Sequence, residues 1–142
     1  MASVKTYDPT SVFIAINGLP LDGWADGSFI TIERDEPAFT TQVGADGEVS
    51  RSKNVGNTAT AKISLHQTSK ANQILWEMYQ ADRLSGGGIG AFMMREAGNI
   101  VLAAECWVEQ VPTVEYAKEG GPREWTIKLA NAEFTIVGND AA

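Results

Sequence analysis

Thr58-Ala59-Thr60-Ala61-Lys62-Ile63-Ser64-Leu65-His66 alternates without a break. Side chains of an extended chain point to opposite sides with period two, so Ala59, Ala61, Ile63 and Leu65 share one face and Thr58, Thr60, Lys62, Ser64 and His66 the other. This is a strand with one dry and one wet side. Upstream, Phe39-Thr40-Thr41-Gln42-Val43 alternates in the same way, and after Gly44-Ala45-Asp46-Gly47 the pattern weakens through Glu48-Val49-Ser50-Arg51-Ser52. The interruption is either a bulge in one long arm or a turn in a three-strand meander. Ser52 to Asn57, with Asn54, Gly56 and Asn57, is the better-placed turn and favours a single long β-hairpin over residues 39–67. Such a hairpin cannot bury both faces against a small domain, and two strands alone are marginal in water. Its distal half needs neighbours, and the nearest supply is other copies of the same chain.

The 142 residues, 44% of them hydrophobic, fit one domain over residues 1–142 with a single core. Met1-Ala2-Ser3-Val4-Lys5 lacks the apolar core of a signal peptide, and no window approaches a membrane span, so the expectation is assembly in a cytoplasm without membrane insertion. Cys106, the one cysteine, can form no intrachain disulfide and reads as a small buried hydrophobe. The first 50 residues hold eight acids and two bases, a net −6 of the chain's −7. That balance repels polyanions and argues against nucleic-acid recognition, which needs clustered Lys and Arg.

On either side of the quoted stretch the chain reads as strands. Val12 to Ile16 is apolar on both faces and turns back at Asn17-Gly18; Phe29 to Glu33 is a strand ended by the charged corner Arg34-Asp35-Glu36-Pro37. A helix is expected over 69–84, capped by Thr68 or Ser69 and stopped at Gly86, with Ala71, Ile74, Leu75, Met78 and Tyr79 on its apolar face and Trp76 off it. Ala91 to Arg95 and Ile100 to Ala104 form a hairpin turned at Ala97-Gly98-Asn99, and Trp125 to Leu129 and Ala132 to Ile136 close the chain. The count is eight or nine strands and one helix: mainly β, an antiparallel β-sandwich or barrel with one flanking helix and a long hairpin.

Chemistry finds little footing. With one histidine, His66, and one cysteine there is no zinc ligand set. Gly86 to Gly90 follows a helix and precedes a strand, the reverse of a phosphate loop. No serine sits in a strand-elbow-helix setting. No enzymatic activity, cofactor or metal is expected. A monomeric binding module would instead need an aromatic pocket among Trp24, Trp107 and Trp125.

Three stretches, Ala25-Asp26-Gly27-Ser28-Phe29-Ile30-Thr31-Ile32-Glu33-Arg34, Val43 to Ser52 and Arg123-Glu124-Trp125-Thr126-Ile127, resemble the tail tube proteins of contractile-tailed bacteriophages. The pattern runs from Tyr7-Asp8-Pro9 to the final strands. The resemblance implies a virion structural protein that forms hexameric rings. These stack into the inner tube of a phage tail, through which DNA is ejected without specific binding. Implied partners are copies of itself, the tail sheath, the baseplate and the tail terminator. A baseplate component of the same fold, or a tube subunit of the pyocin or type VI secretion kind, is the alternative. If each of six subunits gives four strands, 24 strands enclose a circle of roughly 37 Å between backbones. Combined with the alternation, the resemblance places Thr40, Gln42, Asp46, Glu48, Thr58, Thr60 and Ser64 at the channel, and Asp35, Glu36, Arg51, Lys53 and Lys62 at contacts between rings or subunits. It leaves Trp76 for the sheath.

Overall fold

The computed structural model describes residues 4–97, 99–136, 138 and 139; Gly98 of the expected turn lies outside them. After a 3₁₀ turn at Pro9–Ser11 the chain runs through β1 (Phe13–Ile16), β2 (Leu19–Leu21), β3 (Ile30–Arg34), β4 (Phe39–Val43), β5 (Val49–Lys53), β6 (Thr58–His66), α1 (Ala71–Ser85), β7 (Gly90–Glu96), β8 (Asn99–Gln110) and β9 (Pro122–Phe134). Seven strands form one antiparallel sheet in the order β2-β1-β7-β8-β9-β6-β3, while β4 and β5 pair only with each other. The fold is mainly β with one flanking helix, and the sheet is open, with β2 and β3 at its edges.

β6 sits where its composition sends it, second from an edge, between β3 and the long β9. Ala59, Ala61, Ile63 and Leu65 have no exposed surface. They meet Leu75 of α1, Phe92 of β7, Leu102 and Cys106 of β8, and Trp125, Ile127 and Leu129 of β9 in a single core. Burying side chains the size of Ile63 and Leu65 contributes about 1.5–3 kcal/mol each, so this face is what holds the sheet to the helix.

The helix begins at Ala71, two residues later than expected. Ser69 still serves its first turn, accepting from the Ala71 N–H at 3.2 Å while its hydroxyl donates to the Asp22 carbonyl at 2.6 Å. Gly86 ends it in the left-handed region, φ 70°, with its N–H on the Asp82 carbonyl, the geometry that a residue without Cβ takes at least cost.

Two expectations are corrected. The long hairpin over 39–67 does not form: β4 pairs with β5, Phe39 opposite Lys53 and Val43 opposite Val49, and Gly44–Gly47 is a turn rather than a bulge. The turn is locally sufficient. The Gly47 N–H reaches the Gly44 carbonyl at 2.9 Å, the Gly44 N–H the Glu48 carbonyl at 2.8 Å, and the Asp46 carboxylate accepts the Glu48 N–H at 3.1 Å, with Gly47 at φ 85°. Residues 54–57 then carry the chain from the hairpin to the main sheet. The second correction concerns the end of the chain, where two expected strands are one, β9. Asn131, at φ 52°, makes a bulge in it opposite β8 and donates its side-chain amide to Glu105 at 3.0 Å, which hides the continuity from the pattern.

Candidate assembly surface

The wet residues of β6 lie on the outer face of the sheet, and the register across β3, β6, β9 and β8 lines them up with partners that spacing alone cannot reveal. Thr60 stands between Glu33 and Lys128, and Lys128 opposite Trp107; Lys62 stands between Thr31 and Thr126. Of the residues expected at a channel, Thr58, Thr60 and Ser64 occupy this face, and Lys62 is exposed beside them.

One charged network pins the corner after β3 to this face. Asp35 takes the Thr58 hydroxyl at 2.7 Å, the Thr60 hydroxyl at 2.8 Å and the Lys128 ammonium at 2.8 Å, and its N–H donates to the Thr58 carbonyl at 3.2 Å. Lys128 also donates to the Thr60 hydroxyl at 3.1 Å and lies 3.6 Å from the Glu109 carboxylate. The hydrogen bond from Lys128, helped by those from Thr58 and Thr60, holds the Asp35 carboxyl down at about 2. In return the Lys128 ammonium is pushed above its ordinary value, chiefly by Asp35. Asp35 was expected at a contact between rings or subunits; within the chain its carboxylate is engaged by Thr58, Thr60 and Lys128. Its pattern neighbour Glu36 stands beside Gly56 at the hairpin root.

The hairpin β4–β5 projects from that corner, and all of its strand residues are exposed. Its root is fixed. Asn54 donates its side-chain amide to the Pro37 carbonyl at 2.7 Å and the Thr40 hydroxyl at 3.0 Å, and its N–H meets the Ala38 carbonyl at 2.9 Å. Arg34 reaches Asn57 at 3.3 Å. Its two faces differ. Thr40, Gln42, Ser50 and Ser52 make a hydroxyl and amide face, while Phe39, Val43 and Val49 share the other with Arg51, whose guanidinium lies 4.2 Å over the Phe39 ring, and Lys53. Asp46 and Glu48 sit at the tip. The channel residues expected from the pattern therefore fall on two separate elements, a hairpin and a sheet face.

Elsewhere, Trp76 is 45% exposed on α1 with its ring tilted against Tyr79 at 5.5 Å, off the buried face as the wheel requires. Trp125 is buried with its indole N–H on Asn72 at 2.8 Å, Trp24 packs on Phe29, and Trp107 lies between buried Cys106 and Val108 on the opposite face of β8. These three do not line one pocket. Burial pushes the Cys106 thiol up to about 12, against a lowering hydrogen bond from Gly90. Among the described residues no three of His, Cys, Asp or Glu gather in a metal-binding arrangement, and no helix is long and apolar enough to cross a membrane. Lys128 and Glu109 were missed from sequence. The one available signal, Lys128 on the wet side of Trp125 to Leu129, does not say which strand lies alongside.

Comparison with known proteins bears on what such a surface is for. A family profile describing the bacteriophage PhiTE tail tube protein matches residues 17–137. Structural protein ORF10 of Pseudomonas phage KPP10 is 31% identical over 145 aligned positions, covering 95% of this chain and 84% of that protein. Two solved structures share the fold at low identity. The anti-feeding prophage cap, an AFP tube terminating cap, superposes with TM-score 0.60 at 11% identity, over 96% of this chain and 95% of its own. A chain of the sheath-tube complex of an extracellular contractile injection system, PVC in the extended state, superposes with TM-score 0.58 at 7% identity, over 93% of both.

Proposed function

The chain belongs to the bacteriophage tail tube family, a family of structural proteins, and on that footing we propose that six copies close into a ring and that rings stack as the inner tube of a contractile tail, a channel for DNA ejection. The observation that carries this reading is the β4–β5 hairpin: a root held by side-chain hydrogen bonds, two unpaired edges and no buried strand residue. A rigidly aimed two-stranded ribbon of this kind is stable only when neighbours supply the missing strands, and closure of a shared barrel removes every edge.

In this arrangement the hydroxyl and amide face of the hairpin, with Asp46 and Glu48 at its tip, faces the channel, and the open sheet face with Thr58, Thr60 and Ser64 continues it. A wall rich in hydroxyls, amides and carboxylates holds phosphates weakly, with Lys62 an exposed cation on its sheet face. Arg51, Lys53 and Lys62 serve contacts between copies, and Trp76, outward on the helix, faces the sheath. The protein is then a component of the virion tail, assembled in the host cytoplasm with baseplate and tail-terminator proteins at its ends.

The likeness to a tube-terminating cap favours one second reading, a ring that ends a tube or joins a baseplate. Electron microscopy of the purified protein separates the two. Long tubes are expected for a tube subunit and discrete rings for an end component; a monomer at every concentration would overturn both.

A further inference from the structure

Two exposed features lie at opposite ends of the longest strand. At the start of β9 the chain from β8 makes an arm. Val111 packs on the core and Gly121 is held by Gln67, but between them Thr113 to Glu119 are all exposed, with Val114 at 55% and Tyr116 at 82%. At the other end, where Phe134 finishes β9, a groove of about 480 Å3 opens at the hairpin root. Phe39, Val55 and Phe134 give it apolar surface, and Arg34, Lys53 and Glu133 stand around it, two cations against one carboxylate. Thirteen extended residues separate the two ends by about 40 Å.

The two features are complementary. The arm carries a tyrosine and a valine beside Glu115, Lys118 and Glu119, a net −1; the groove offers aromatic and aliphatic surface beside Arg34, Lys53 and Glu133, a net +1. The ion pairs among the described residues both belong to Lys128, so among those residues neither Arg34 nor Lys53 is paired with a carboxylate. An arm and its acceptor at opposite ends of one molecule make a heterologous, head-to-tail contact, which repeats without limit when copies are translated along the line joining them.

We propose that the β8–β9 arm of one copy seats in the hairpin-root groove of a second copy in the next ring, with Tyr116 on the apolar surface and Glu115 against Lys53. This contact rests on the tube reading and names the surface that stacks the rings. An aromatic anchor in an apolar groove is where the energy of an interface concentrates, and the charge pair at its rim fixes direction more than strength.

The test is tube growth of the purified full-length protein, followed by sedimentation and electron microscopy. Tyr116→Ala, a change at a side chain outside the core, is expected to keep the wild-type unfolding temperature and raise the critical concentration for tubes about thirtyfold, leaving rings that do not stack. Lys53→Glu and Glu115→Lys are each expected to raise it about threefold, and the double swap to return it to near wild type. Tyr116→Cys combined with Val55→Cys is expected to give a ladder of disulfide-linked chains on oxidation of tubes, the deeply buried Cys106 staying silent. Undiminished tubes from Tyr116→Ala together with no ladder overturn this contact and leave the tube reading standing. A wild-type protein that never assembles overturns both.

Discussion

β6 and the β4–β5 hairpin are written in the same alternating code, yet one packs a whole face into the core and the other touches no core. Every second residue of β6 from Ala59 to Leu65 has no exposed surface, whereas Phe39, Val43 and Val49 are 44%, 67% and 67% exposed. The difference lies in the dry face. That of β6 is apolar at four successive positions and small at two of them, so β6 can lie close under the helix and beside β9. That of the hairpin is interrupted by Thr41 and shares its side with Arg51 and Lys53, which would be costly to bury without partners. Alternation therefore says that a segment is a two-faced strand; the continuity of its apolar face decides whether that face stabilises a monomer or waits for a neighbour.

Truncation should separate the two regions most sharply. Leu65→Ala or Ile63→Ala opens a cavity in a core that is close-packed on every side and is expected to cost about 2–5 kcal/mol in denaturant unfolding. Val49→Ala on the hairpin should change stability by no more than about 0.5 kcal/mol. Equal losses at the two sites would mean that the hairpin is packed in solution and that the contrast drawn above is false.

How far this contrast was legible beforehand depends on distance along the chain. β6, the helix with its Gly86 stop and the buried Cys106 follow from local pattern, because each rests on period and composition within a few residues. The hairpin boundary was misread because two turn signals compete: Asp46-Gly47 and the Asn-rich segment 54–57 are both good turns, and only the pairing of Phe39 with Lys53 shows which one reverses the strand. The network on the open face was beyond reach for a different reason. It joins Asp35, Thr60 and Lys128, which are far apart in sequence and meet only through the registers of β3 with β6 and β6 with β9. β9 was split in two because its bulge at Asn131 breaks the alternation where the backbone continues.

That network joins the two regions, so its loss should have an intermediate effect. The Asp35 carboxyl titrates at about 2 in the folded protein, below its ordinary 3.8. Its contribution is therefore complete above about pH 4 and is lost as pH falls toward 2. The raised Lys128 works in the other direction: its share holds below its ordinary 10.5 and is lost as pH rises beyond it. With the Asp35 side chain 27% exposed, solvent screening reduces the pair to about 1 kcal/mol. Asp35→Asn is expected to cost about that much at pH 7 and to flatten the acid limb of the stability profile between pH 4 and 2. An acid limb as steep in the variant as in the wild type would place the titrating group elsewhere.

A small effect on stability should accompany the largest effect on assembly. The hairpin buries none of its strand residues, and the points where it leaves and rejoins the body are adjacent, the Asn54 N–H bonding the Ala38 carbonyl at 2.9 Å. Replacing residues 39–53 by a Gly-Ser-Gly link can therefore close the gap without moving β3 or β6. The deletion removes fifteen residues whose ordering costs on the order of 1–2 kcal/mol each, offset in the monomer by their own ladder and turn but by no core burial. The shortened chain is expected to fold with an unfolding temperature within about 4 °C of wild type, equivalent to less than about 1 kcal/mol for a domain of this size. It is also expected to remain soluble and to form neither rings nor tubes, because the ribbon that would join one copy to the next is gone. Differential scanning calorimetry beside electron microscopy reads both properties on one sample. Tubes from the shortened chain would show that copies associate through the body of the sheet, and a chain that fails to fold would show that the hairpin belongs to the monomer after all.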